Sequence, residues 1–223
     1  MASKSLAVRV ATMTEGEWLA CTNPQPMLDY LRDEIGDRKL RLFICACVRR
    51  VWRQLENEIS QRAVEIAEHY ADGGATTEEL RAAFFAALDA ADLEILEPTV
   101  FNSRSAAMIA ATPHPNIGDA ESAGWYTARA EPLHCSSGQR ARLLRDLIPS
   151  PFRSVTIDPR WLSPNVVALA GKIYDDRTFD HLPILADALE EAGCSNSDIL
   201  NHCRQSGEHV PGCWVVDLIL GKE

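Results

Sequence analysis

The sequence predicts an all-α fold, a multi-helix bundle with an irregular Pro/Gly-rich middle and a small C-terminal helical knuckle. Apolar residues recur at three- and four-residue intervals along most of the chain. Thr14 with Glu17, and Thr76 with Glu79, form capping boxes that open helices. One β-like stretch, Ser154 to Ile157, is too short to make a sheet.

Thr14 and Glu17 open a short helix through Trp18 to Cys21, which the turn Asn23-Pro24-Gln25-Pro26 stops. A second helix runs from Met27 to Ile35. A long amphipathic helix follows, from Arg38 to about Glu56, with Leu40, Phe43, Ile44, Cys47, Val51 and Leu55 on one face and Arg38, Arg41, Arg49 and Arg53 on the other. Ser60 to Tyr70 ends at Gly73-Gly74, and the Ala-rich run Glu78 to Leu96 ends at Pro98. Residues 97–136 hold four prolines and read as an irregular connection with short helices near Ala106 to Ala111 and Ala120 to Ala130. Helices then follow over Gln139 to Ile148, Pro164 to Tyr174 and Leu182 to Ala192, then a short one after Ser195, and a last one over Trp214 to Leu220. The expected organisation is an extension over 1–12, a bundle over 13–96, the connection over 97–136 and a C-terminal region over 137–223.

The chain has 223 residues, 46% of them hydrophobic, enough for a substantial core. Its 22 basic and 32 acidic residues leave a net charge of −10, which disfavours a general binder of nucleic acid. The acid is concentrated: residues 61–134 carry four basic and twelve acidic groups. Arg9 breaks the only apolar run near the start, so a cytoplasmic chain with no membrane span is expected.

Seven cysteines and no export signal imply free thiols. Cys45 and Cys47 read as core. Cys194, Cys203, His209 and Cys213 stand as C-x8-C-x5-H-x3-C, three thiolates and an imidazole that suit tetrahedral Zn²⁺. Their spacing equals that of C-x8-C-x5-C-x3-H fingers with the last two ligand types exchanged. The alternative is that all three thiols are packed hydrophobes, and His202 competes with Cys203 as a ligand. A four-ligand site would be structural and leave no position for water.

The block Glu17-Trp18-Leu19-Ala20-Cys21-Thr22, then Pro26-Met27-Leu28, Asp37-Arg38-Lys39-Leu40-Arg41-Leu42-Phe43 and Arg49-Arg50-Val51-Trp52, resembles an uncharacterised bacterial family. Ser150-Pro151-Phe152-Arg153, the run Leu182 to Cys194 and Gly212-Cys213-Trp214-Val215-Val216-Asp217-Leu218 are similar to it too. The likeness begins at Met13, and Val48 stands where that family would place a second cysteine. It implies no activity.

The function expected is a non-enzymatic protein-interaction or regulatory module with a protein partner, possessing a structural zinc knuckle, with Trp18, Trp52, Arg49 and Arg53 as contact residues. One rival is an enzyme with a pocket between the helical halves using His134 and Cys135, or His114. Another is a nucleic-acid binder using the knuckle with Arg140, Arg142, Arg145 and Arg153.

Overall fold

In the computed structural model, residues 12–91, 98–130 and 136–222 are described. Among them are twelve α-helices and no strand, an all-α multi-helix bundle. The first eight helices are α1 (Glu15–Ala20), α2 (Pro24–Tyr30), α3 (Asp37–Arg49), α4 (Glu58–Ala71), α5 (Thr77–Ala91), α6 (Pro98–Ala110), α7 (Ile117–Ala130) and α8 (Ser137–Leu147). The last four are α9 (Pro164–Asp175), α10 (Leu182–Glu191), α11 (Ser197–Arg204) and α12 (Trp214–Leu220). No described helix is long and apolar enough to cross a membrane.

Both capping boxes form: Thr14 and Glu17 exchange hydrogen bonds at the start of α1, and Thr76 and Glu79 do so at the start of α5. The long helix ends earlier than its periodicity suggests. After Arg49 the backbone tightens into a 3-10 turn at Trp52–Gln54, which still leaves Val51 and Leu55 buried. The Pro/Gly-rich middle is more ordered than expected, since α6 and α7 occupy most of it and pack on each other and on α3.

Helix α3 is the axis of the first lobe. Every residue from Leu40 to Val48 is buried, because α4, α6, α7 and α8 pack around it. Even Arg41 is sealed in. Its guanidinium donates to the carbonyls of Ala110, Thr112 and Pro113, which the end of α6 leaves without helical partners. A second core lies within α9 to α12 and contains Ile173, Leu185, Leu189, Cys203 and Val216. The division between cores therefore follows α8, which packs on α2 and α3 rather than with the C-terminal helices.

Charge and one tight turn join the lobes. Asp217 of α12 takes Arg38 and Lys39 of α3 at 2.6 Å each, and the Tyr174 hydroxyl donates to Asp72 at 2.7 Å. Glu68 of α4 accepts both arms of Arg49 and is also paired with Arg177, which follows α9. The loop before α12 puts Val210 into the first core. At Gly212 (φ +92°) a Cβ would stand 2.7 Å from Leu42 Cδ1 and 2.8 Å from Leu147 Cδ2. Both the backbone angle and the close approach demand glycine.

Gly212→Ala is therefore expected to destabilise the fold by about 2 to 4 kcal/mol, from backbone strain plus overpacking. Gly207→Ala, where a Cβ meets nothing, should be neutral. Equal melting temperatures for the two variants would contradict this account of the lobe junction.

Acid should loosen the same junction. Burial alone would raise the Glu68 and Asp72 carboxyls, but hydrogen bonds from Arg49 and Arg177, and from Tyr174 and Arg38, hold both below their ordinary values. Folded carboxylates with depressed pKa contribute stability above the unfolded range, near pH 4, and lose it as pH falls further. Urea midpoints should hold from pH 7 to about 5 and then drop. Glu68→Gln should cost about 2 kcal/mol at neutral pH and show a shallower acid slope; a slope matching that of the parent protein would count against it.

Candidate metal centre

Helix α8 starts from a capping box between Ser136 and Gln139 and buries Ala141, Leu143, Leu144 and Leu147. Asp146 lies on that buried stripe, in the last turn. The position is electrostatically poor for an acid: it is dry, and the helix end already carries partial negative charge. The compensation comes from the second lobe. His202 is on α11, whose start Asn196 caps, His209 is in the loop that follows, and Cys213 is the residue from which α12 begins.

The four side chains converge on one point. Asp146 Oδ1 lies 2.5 Å from His209 Nδ1 and 3.2 Å from His202 Nε2. Cys213 Sγ lies 3.2 Å from His202 Nε2 and 3.9 Å from His209 Nδ1. All four atoms fall within 4.8 Å of one another, and the Asp146, His202 and His209 side chains are 3%, 7% and 5% exposed. This buried Asp/His/His/Cys cluster could hold a metal ion. A tetrahedral ion with bonds of about 2.0 to 2.3 Å spaces its donors roughly 3.3 to 3.8 Å apart, so the Asp146–His209 edge, at 2.5 Å, would have to open.

Burial would raise the Asp146 carboxyl, yet hydrogen bonds with His202 and His209 keep it low and ionised. Burial lowers His202 more than Asp146 raises it, so the ring is neutral. Burial, with the Asp146 charge, drives the Cys213 thiol well above its usual value. Trp214 Nε1 donates to His202 Nδ1 at 2.9 Å. Indole N–H only donates, so the lone pair of His202 is at Nδ1 and its proton at Nε2, facing Asp146 and Cys213. The other Asp146 oxygen accepts from the Val210 N–H at 2.9 Å.

This geometry is not that of a thiol relay. A nucleophilic Cys–His–Asp set places thiol and carboxylate on opposite ring nitrogens, whereas here both face Nε2 of His202 and Nδ1 of His209. A thiol with a raised pKa is also a poor nucleophile.

Of the four ligands expected from spacing, the structure brings His209 and Cys213 together and leaves Cys194 and Cys203 out of the group. Those two thiols pack in the second core, where burial pushes Cys203 up to about 12. Consecutive helical residues point about 100° apart, so one of His202 and Cys203 faces the cluster and the other the core. Asp146, far upstream, was missed. Its signal is an acid on the apolar stripe of an amphipathic helix.

The contact residues expected from sequence are mostly spent inside the molecule. Trp18 is 1% exposed. Arg49 is held by Glu68 and lies 3.9 Å over the half-buried Trp52 ring, so of the four only Arg53 is exposed. Exposed aromatic residues stand elsewhere, at Phe85, Phe101 and Trp125. His134 and Cys135 lie outside the described residues. Compared with family models, with curated proteins and with solved structures, the chain matches none.

Asp146→Asn keeps the shape and removes the charge, and it sets an NH2 donor against N–H groups that both carboxylate oxygens now accept. It should cost about 3 to 5 kcal/mol in urea unfolding at pH 7. Asp198→Asn, at a part-exposed carboxylate paired with Arg153, should cost under about 1 kcal/mol. Equal losses would show that Asp146 does not carry the lobe junction.

Proposed function

We propose that this chain is a non-enzymatic, cytoplasmic interaction or regulatory module for a protein partner, its two lobes pinned by one structural Zn²⁺ on Asp146, His202, His209 and Cys213. The observation that carries the reading is the origin of the donors: the carboxylate comes from the first lobe, and both imidazoles and the thiol come from the second. Thiolate, imidazole and carboxylate together suit zinc. Four protein donors leave no open position for water, so such an ion would hold structure and not activate a substrate.

The hydrogen bonds at His202 Nδ1 would have to change for zinc to bind. Coordination through His202 Nε2 moves the ring proton to Nδ1, which then needs an acceptor that Trp214 is not. The Gln205 side-chain amide stands 3.1 Å from Nδ1 and can turn its oxygen toward it. Zinc therefore releases the Trp214 indole, and binding is favoured by higher pH because the Cys213 thiol must lose its proton.

With the expected aromatic contacts buried, the partner surface proposed is the exposed aromatic face over α5 to α7, where Arg129 lies over Trp125 and Phe101 meets Tyr126 edge to face. Membership of the uncharacterised bacterial family is proposed on the sequence blocks alone.

Metal analysis of protein purified without added zinc tests the centre. About one equivalent of zinc per chain is expected. It should be lost in Cys213→Ser and Asp146→Asn, and kept in Cys194→Ser and Cys203→Ser. A chelator should lower the melting temperature and change the emission of Trp214, a change absent from Trp214→Phe. Less than about 0.1 equivalent, with no stabilisation on adding zinc, would end the proposal.

A further inference from the structure

A cleft of about 620 Å³ opens between the lobes, lined by residues of α1 and α8, of α11 and the segment 205–208, and by Trp214. That volume is in the range of small-molecule sites. Most of the charge around it is already matched. Arg153 pairs with Glu15 and Asp198, Arg50 pairs with Glu208, and Asp146 with the two histidines. Arg142 and Arg145 remain. Both line the cleft from α8, three residues apart, and neither has a carboxylate within 4.0 Å among the described residues.

The two cations are not equivalent. Arg145 is half-buried and uses Nη1 to hold the carbonyls of Trp18 and Cys21 at the end of α1, both at 3.0 Å. Its Nε and Nη2 make no hydrogen bond among the described residues. Arg142 is exposed and has no such structural task. Two guanidiniums that repel each other at the wall of a small cleft are relieved by a dianion with several acceptor oxygens.

We propose that this cleft binds a small phosphomonoester, its phosphate held by Arg142 and Arg145 and its organic part in the space toward Trp214. The site is independent of the zinc reading, because neither arginine belongs to the metal cluster.

Calorimetric titration of the full chain with phenyl phosphate and with inorganic phosphate, at constant ionic strength and after EDTA treatment, is the test. Saturable binding of both is expected, with phenyl phosphate tighter by about fivefold because its ring fills the cleft. Arg142→Gln should weaken both by about fivefold or more, and its exposed position keeps folding unaffected. Arg145→Gln should act likewise, with circular dichroism checking α1. Arg62→Gln, on exposed α4 surface, should change nothing. No saturation up to about 20 mM would overturn the proposal. So would equal affinities of Arg142→Gln and the parent, or binding seen with a single-stranded oligonucleotide and not with phenyl phosphate. Binding that needs zinc would place the anion on the metal and also overturn it, whereas absence of zinc with phosphate binding intact would sink the metal reading alone.

Discussion

A carboxylate sealed between two apolar cores is the constraint around which this molecule is arranged. Asp146 cannot be hydrated and cannot be neutralised cheaply, so three residues of the second lobe must meet it in one geometry. That requirement fixes where α11 ends, where α12 begins and how the intervening loop lies on the first core. Val210 illustrates the coupling, since its N–H bonds Asp146 while its side chain packs in the first core.

The rest of the junction follows the same rule. Asp217 answers Arg38 and Lys39, Asp72 answers Arg38 and Tyr174, and Glu68 answers Arg49 and Arg177. Directional pairs of this kind add less net stability than apolar contact would, but they reject a shifted register because any slip strands a buried charge. Gly212 adds a steric lock, allowing backbone to rest on Leu42 and Leu147. The two cores thus fold as separate apolar units yet meet in one arrangement.

Local signals in the sequence were sufficient for the helices and insufficient for the junction. Both capping boxes, the Pro164 start of α9 and the burial of Cys45 and Cys47 depend on neighbours in the chain, and all are present. Arg41 and Arg49 sit on what reads as the wet side of α3, yet α6 and α4 cover them through carbonyls and a carboxylate that no local pattern links to them. Spacing found two members of the cluster because His209 and Cys213 share one turn. It substituted Cys203 for its neighbour His202, since thiols are stronger metal cues, and it had no means of reaching Asp146 across the lobes.

The bonds around His202 determine what the cluster means. The Trp214 indole donates to His202 Nδ1 and Asp146 is hydrogen-bonded to both imidazoles, while His209 Nε2 is buried without a hydrogen-bond partner among the described residues. The proposed zinc would replace the thiol proton and cost the indole bond, for which the Gln205 amide stands within reach. The metal-free and the proposed metal-bound arrangements would differ in one proton and in the freedom of Trp214. Trp214, His202 and Asp146 also line the cleft that carries Arg142 and Arg145. With the proposed ion bound, a junction built in this way would tie the relative placement of the lobes to metal supply, which an apolar interface of the same size would not do.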